Sequence, residues 1–333
     1  MPDMKGHVGK PGVFITGACG YMGNLLVEAM ASMRDRFGPI LASDIRQHKV
    51  RGVQSITRLV LDVRSEEMEG ILRQNGITTV VHLAGIVTPG KKHGRDLAYQ
   101  VDVLGTKNVL QSCLKAGVNH LIVTSSGAAY GYHADNPDWL DEQDQLRGDP
   151  EFAYAHHKRQ VEEMLLRARE EHPELKQLIL RPGTILGATT SNQITDLFQK
   201  KVILGVRGST TPFVFIWDQD VVAVIIKGIL EGKTGIYNLA GDGAMELTEI
   251  ADILKKPLVR PPAWILQSAL FVLHTFGLTQ YGPEQVNFLR YRPVLLNRRL
   301  KEKFGYTPQK TTRQVFAYYL QENGRGPSTA ELS

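Results

Sequence analysis

Three glycines at intervals of three follow a short apolar run in Val13-Phe14-Ile15-Thr16-Gly17-Ala18-Cys19-Gly20-Tyr21-Met22-Gly23. Val13 to Ile15 read as a buried strand, and Leu25-Leu26-Val27-Glu28-Ala29-Met30 reads as the helix that follows. A strand that feeds a helix through such a turn sets backbone N–H groups and the helix N-terminus against a pyrophosphate. One glycine serves the tight turn, one the close approach of the ligand, and one the packing of helix on strand. Gly17, Gly20, Tyr21, Met22 and Gly23 therefore form the first candidate cofactor segment. The spacing is G-x-x-G-x-x-G, not the G-x-G-x-x-G of many dinucleotide-binding chains.

A second apolar run, Ile40-Leu41-Ala42-Ser43-Asp44, ends in a carboxylate 21 positions after Gly23. A carboxylate at that place takes both hydroxyls of an adenosine ribose and repels a 2′-phosphate, which predicts NAD over NADP. Ile45 and Arg46 belong to the same turn, and the Arg46 guanidinium argues the other way, as a partner for that phosphate.

The alternation of strand and helix patterns continues through the first half. Strands are predicted at 13–16, 40–44, 57–61, 79–83 and 120–125, and helices at 21–33, 65–74, 95–116 and 151–171. Later strands are predicted at 177–181 and 235–239. Short apolar runs joined by helical crossovers imply a parallel, doubly wound α/β sheet of Rossmann type. After Arg181-Pro182 the alternation becomes irregular. The expected division is a cofactor-binding domain at 11–182, with 213–240 returning to it, and a smaller, discontinuous C-terminal substrate-binding lobe from 183–212 and 241–330. The tail from Gly324 reads as frayed.

Composition narrows the classes. A net charge of +5 with interspersed lysines, arginines and acids leaves no basic block, so no nucleic-acid partner is expected. The two cysteines, Cys19 and Cys113, argue against a disulfide scaffold. The N-terminus has no apolar signal core, so a cytoplasmic protein is expected. No His, Cys or carboxylate spacing suggests a metal. The apolar stretch 263–278 is too short and too interrupted for a transmembrane span and reads as an amphipathic packing helix, with monotopic membrane contact the lesser alternative.

Tyr154 and Lys158 stand at i and i+4 of a helical pattern, on one face. An ammonium beside a phenol favours the phenolate, and such a tyrosine can exchange a proton with a substrate alcohol while hydride moves to or from a nicotinamide. About 30 positions earlier the strand Leu121-Ile122-Val123 ends in Thr124-Ser125-Ser126, where a serine can orient the substrate oxygen or merely cap the strand end.

Together these residues resemble a known family. Thr16-Gly17-x-x-Gly20-x-x-Gly23, Asp44, Asp62-Val63, His82-Leu83-Ala84-Gly85, Ser125-Ser126 with Tyr130-Gly131, Tyr154-x-x-x-Lys158 and Arg181-Pro182 stand in the order seen in extended short-chain dehydrogenases/reductases. This is the NAD-dependent epimerase/dehydratase group, with 3β-hydroxysteroid-dehydrogenase-like members. The resemblance runs from about residue 11 to 310 and includes Gly105-Thr106-Lys107-Asn108-Val109-Leu110 and the ending Phe304-Gly305-Tyr306-Thr307-Pro308. It implies Tyr154 as acid/base and Lys158 on the nicotinamide ribose. It also implies that Ser126 holds the reacting oxygen, with Ser125 the adjacent alternative. Asp62 and Val63 would flank the adenine, while Leu83, Ala84, Gly85, Thr124, Pro182, Gly183 and Thr184 would line the cofactor path. A homodimer through the helices at 95–116 and 151–171 is the family expectation.

Two departures matter. Asp102 stands where the family often has asparagine, and a carboxylate accepts hydrogen bonds but cannot donate them as an amide does. The run Arg181 to Gly187 lacks the asparagine common in sugar-nucleotide epimerases, which tilts the reading toward the steroid-dehydrogenase-like branch. The expected activity is NAD-dependent oxidation of a secondary alcohol or reduction of its ketone. Its rivals are a nucleotide-sugar epimerase or dehydratase that recycles NAD, and a non-catalytic NAD-binding sensor or assembly subunit. His156 and His157 are assigned to the surface or to support of the site, His93 to a loop within reach of substrate or simply solvated, and Asp220 to a cap or structural role.

Overall fold

Strands β1 (Val13–Thr16), β2 (Ile40–Asp44), β3 (Thr57–Val60), β4 (Thr79–His82), β5 (His120–Thr124) and β6 (Lys176–Pro182) come first, in that order. Between and around them lie helices α1 (Tyr21–Ser32), α2 (Met68–Gln74), α3 (Gly94–Tyr99), α4 (Thr106–Ala116) and α5 (Ala153–Glu171). Beyond β6 come β7 (Thr184–Leu186), α6 (Gln193–Gln199), β8 (Ile203–Leu204), β9 (Phe215–Trp217), α7 (Asp218–Glu231) and β10 (Gly235–Leu239). The chain closes with α8 (Leu247–Ile253), β11 (Leu258–Val259), α9 (Ala263–Thr275), α10 (Gln285–Arg290) and α11 (Thr312–Glu322). The structure, a computed structural model, describes residues 9–47, 56–87, 94–279 and 282–324. His93 and the tail beyond Gly324 lie outside the described residues.

Seven strands form one parallel sheet in the order β10-β6-β5-β4-β1-β2-β3. Val13 on β1 is opposite Ile40 on one side and Thr79 on the other, so the chain reverses its direction of winding at β1. Ligands of such sheets bind outside the carboxyl ends of the strands at that reversal. Side chains alternate cleanly between the two faces. Val13, Ile15, Ala42, Val81, Ile122 and Leu178 pack under α1 and α7, through Leu26, Val27, Met30, Val221 and Ile225. Phe14, Leu41, Val80, Leu121 and Ile179 pack on the opposite face, under α2, α4 and α5, through Leu72, Val109, Val161 and Leu165. Burial on both faces explains why the strands read as unbroken apolar runs. A separate core of Leu186, Phe198, Phe213, Phe215, Ile250 and Phe316 forms from the chain beyond β6. There β7 pairs with β9 and β8 with β11, each in parallel.

Three predicted elements differ. The helix expected from 95 to 116 is interrupted by a π-helical stretch, Gln100–Gly105, which carries Asp102 inward. Gly105 closes this stretch against Val63, whose Cγ2 would lie 2.6 Å from a Cβ there. The helix expected from 65 begins only at Met68, because Ser65 and Glu67 form a side-chain turn first. The helix at 263–278 ends at Thr275 and buries none of its residues, so it is not the packing helix expected. No described helix is long and apolar enough to cross a membrane. Asp220 takes the structural role: it accepts hydrogen bonds from Tyr306 Oη at 2.6 Å and Gln309 N at 3.0 Å.

Helix α5 is fastened to the sheet by one buried carboxylate. Glu162 accepts from Arg181 Nη2 at 2.6 Å and from Arg181 Nε at 2.9 Å, and Ser125 Oγ donates to it from the end of β5. Arg181 also donates to Tyr130 Oη at 2.7 Å. Removing one member of a buried pair strands the other charge, so Glu162→Leu is expected to cost about 3–5 kcal/mol of stability. The midpoint of urea unfolding against the parent protein measures it.

Candidate active site

The glycine segment after β1 adopts the geometry its sequence predicts. Gly17 has φ +69°, a conformation open to glycine, and a Cβ there would meet Ala84 N at 2.6 Å. A Cβ on Gly23 would meet Gly17 O at 2.2 Å, so this glycine lets α1 sit against the turn. The loops after β1 and β4 thus touch through Gly17 and Leu83-Ala84, at the point where the sheet reverses. Tyr21 and Met22 open α1, both half-buried. Tyr21 Oη donates to Asp218 Oδ2 and accepts from Thr190 Oγ1 at 2.9 Å, which ties the loop to the second core. Burial and the Asp218 carboxylate push its phenol well above the ordinary range.

Asp44 ends β2 where expected. Its carboxylate accepts from Cys19 N at 2.9 Å and from Arg46 N at 3.0 Å and Nε at 3.2 Å. Burial alone would raise its pKa, but the Arg46 hydrogen bonds and the Cys19 N–H outweigh it and hold the acid below its usual value. Arg46 is therefore turned back on Asp44 while remaining mostly open to solvent, and Ile45 beside it is exposed. Asp62 is held the same way by Arg64, at 2.7 Å, and Val63 beside it is buried.

Asp102 lies inside the π-helical turn. It accepts from Ile86 N at 2.8 Å and stands 3.2 Å from His157 Nδ1. Both side chains are buried, so His157 supports the site from within rather than lying at the surface, while His156 is half-buried beside Arg159. The strand end after β4 holds Gly85 next to this pair: a Cβ there would touch Asp102 Oδ1 at 3.4 Å and Lys158 Nζ at 3.8 Å. A buried chain, Thr16 Oγ1–His82–Thr106 Oγ1, runs beneath it at 2.7 and 2.9 Å. Burial, then the Lys158 charge, lowers the His82 pKa to about 3, so that ring is neutral.

The predicted acid/base cluster assembles across α5 and β5. Lys158 Nζ donates to Thr124 O at 2.9 Å and lies 5.6 Å from the centroid of the Tyr154 ring. The two strand-end serines separate in role. Ser125 is buried with its hydroxyl committed to Glu162, whereas Ser126 opens onto the cleft and caps the short helical turn Gly127–Tyr130 through Ala128 N at 3.1 Å. A cleft of about 1790 Å³ is lined by Ser126, Tyr154, Tyr21 and Pro182-Gly183-Thr184. Of the two serines, Ser126 is the one that lines the cleft.

Three features escape sequence reasoning. Glu162 and Tyr130 converge on Arg181 from helix, turn and strand far apart in the chain, and no local pattern signals the pairing. The Asp102–His157 contact joins two positions 55 apart. Arg292 is buried in the cleft wall over the Phe213 ring, 3.8 Å from its centroid, and burial lowers its pKa to about 10. Among the described residues no group of side chains could hold a metal ion.

Residues 13–240 match the model of the NAD dependent epimerase/dehydratase family. The chain is 27% identical over 195 residues to a decarboxylating sterol-4-alpha-carboxylate 3-dehydrogenase of Saccharomyces cerevisiae, covering 56% of this chain and 54% of that one. It is 31% identical over 196 residues to the N-acetyl-alpha-D-glucosaminyl-diphospho-ditrans,octacis-undecaprenol 4-epimerase of Escherichia coli O157:H7, covering 56% and 53%. In fold it is similar to the UDP-glucose 4-epimerase of Thermotoga maritima solved with UDP-glucose, with a TM-score of 0.72 and 16% identity over 94% of this chain and 98% of that one. The glycine turn, the parallel sheet that reverses at β1 and the family match together identify the chain as a member of the NAD-dependent epimerase/dehydratase family, enzymes of the extended short-chain dehydrogenase/reductase type.

Proposed function

We propose that this enzyme oxidises a secondary alcohol, or reduces the matching ketone, with NAD as hydride partner. The observation that carries the reading is the shared opening of Tyr154 and Ser126 into one cleft, with Lys158 beneath the tyrosine ring. The residues present fit the dinucleotide. Glycine leaves room at the β1 turn that a Cβ would fill, and Asp44 offers a carboxylate at the end of β2. Gly17 to Gly23 would hold the pyrophosphate, Asp44 with Ile45 the adenosine ribose, and Asp62 with Val63 the adenine edge. Leu83 to Gly85 and Pro182 to Thr184 would flank the remaining path, with Asp102 fixing the Gly85-Ile86 backbone. When bound, NAD accepts or donates the hydride at the substrate carbon.

Ser126 Oγ would hold the substrate oxygen in place. Tyr154 Oη would take the hydroxyl proton during oxidation and return it during reduction. Lys158, held by Thr124 O, would reach the nicotinamide ribose beside that ring. The smaller lobe, 183–212 with 241–330, would close over the cleft, and the second half of a homodimer would pack through α4 and α5. The setting is the cytoplasm, where Cys19 and Cys113 remain free thiols.

A second reading, the epimerase or dehydratase that keeps its NAD, is favoured by Arg292. Its Nε is buried in the cleft wall without a hydrogen-bond partner, as suits an anionic substrate.

Three measurements test these assignments. Tyr154→Phe is expected to lower kcat by about a hundredfold or more while leaving NADH affinity nearly unchanged; equal turnover of mutant and parent removes Tyr154 as the base. The parent is expected to bind NADH at least about tenfold more tightly than NADPH by fluorescence titration, because Asp44 opposes a 2′-phosphate; the reverse preference assigns that phosphate to Arg46. Denaturing the purified protein and quantifying released nucleotide separates the two reactions. A dehydrogenase exchanges its cofactor and releases little, whereas near-stoichiometric NAD supports the epimerase or dehydratase.

A further inference from the structure

Helix α9 is apolar apart from Gln267, Ser268, His274 and Thr275, yet none of its residues is buried. Trp264 and Phe271 are 67% and 61% exposed, and Phe276 and Leu278 just beyond its end are 74% and 70% exposed. A helix of this kind calls for an apolar surrounding. On one side it reaches the cleft, whose rim includes Gln267 and His274. The aromatic and aliphatic side chains named above point away from that rim and contribute nothing to its lining.

The charges beside it are mostly basic. The β8–β11 pairing lays two stretches of chain together, 196–218 and 252–284. They hold Lys200, Lys201, Arg207, Lys255, Lys256 and Arg260, against Asp196, Asp218, Asp252 and Glu284 at their ends, of which Asp218 is buried. Five of these six cations are exposed, and Lys256 is half-buried, donating to Phe198 O and Lys200 O. Arg207 N donates to Pro261 O at 3.0 Å, which brings Arg207 and Arg260 to the N-terminal end of α9, where Trp264 stands. Exposed Val202 and Val259 continue the apolar surface between the cations.

We propose that α9 and the basic β8–β11 ribbon form a monotopic docking surface for an anionic phospholipid membrane, and that the cleft draws a lipid alcohol or ketone from it. The helix would lie in the interfacial plane, with Trp264, Phe271, Phe276 and Leu278 among the acyl chains and the lysines and arginines against lipid phosphates. A second copy of the chain is a poorer occupant, because a two-fold contact sets each basic ribbon near its own duplicate. The docking stands on α9 and its neighbours alone; the lipid alcohol rests on the dehydrogenase reading given above.

Flotation of the full chain with vesicles tests the docking. One set is phosphatidylcholine alone and the other contains about 30 mol% phosphatidylglycerol. The parent is expected to float with the anionic vesicles at least about tenfold more than with the neutral ones, and to be released as salt rises. Trp264→Ser/Phe271→Ser/Phe276→Ser is expected to abolish flotation, and Lys200→Gln/Lys201→Gln/Arg260→Gln to remove the preference for anionic lipid. Both variants should keep the parent's unfolding midpoint and NADH affinity, since none of these side chains is buried. A parent that stays unbound with both vesicle sets overturns the docking, as does flotation unaffected by the first variant. Light scattering that shows a dimer dispersed by the same three serines transfers the surface to a second copy. A protein that docks but oxidises no lipid alcohol retains the docking and overturns the lipid substrate, while the dehydrogenase reading stands or falls on its own tests.

Discussion

The site depends on where α5 sits, and that depends on the Glu162 carboxylate. Tyr154 and Lys158 lie on α5 two turns and one turn before Glu162, so its contacts with Ser125 and Arg181 set their height over the carboxyl ends of β5 and β6. Arg181 then carries the constraint onward to Tyr130, whose hydroxyl lies 2.9 Å from Asn238 Oδ1 on β10. One buried ion pair in this way links the helix of the acid/base pair, the strand end beneath it and the far edge of the sheet. Such a pair contributes little net stability relative to apolar packing, and its geometry is the part that matters here.

Much of the fold was legible because parallel strands buried on both faces leave continuous apolar runs. β1, β2 and β4 lie almost where the pattern of Val13 to Thr16, Ile40 to Asp44 and Thr79 to His82 puts them. The glycine turn was equally legible, since each glycine answers a close backbone approach that the structure shows. What the pattern did not carry was any contact between distant positions. The π-helical stretch at Gln100–Gly105 packs against Val63, some 40 residues away, and a helical periodicity does not distinguish it from a regular helix. The Ser125 contact with Glu162 likewise joins positions 37 apart, and no local motif signals it.

The region beyond β6 read poorly for a different reason. Its core is built from short pairings, β7 with β9 and β8 with β11, and from phenylalanines gathered from four separate elements and loops. Hydrophobicity there reports burial without reporting period. At α9 the same ambiguity leaves an apolar stretch reading as an amphipathic packing helix, whereas the structure buries none of its residues.

The place of β10 bears on how the protein is made. Six strands of the sheet are complete once the chain has been synthesised to Pro182, but the edge beside β6 stays open until Gly235–Leu239 emerges. Until then the Tyr130 hydroxyl lacks its acceptor on Asn238, and the backbone carbonyl of Leu140 lacks its amide partner. A nascent chain on the ribosome therefore holds the glycine turn and β1–β6 before Asn238 can join Tyr130 to β10. Order of synthesis thus leaves the sheet one strand short at an edge that the last third of the chain must close.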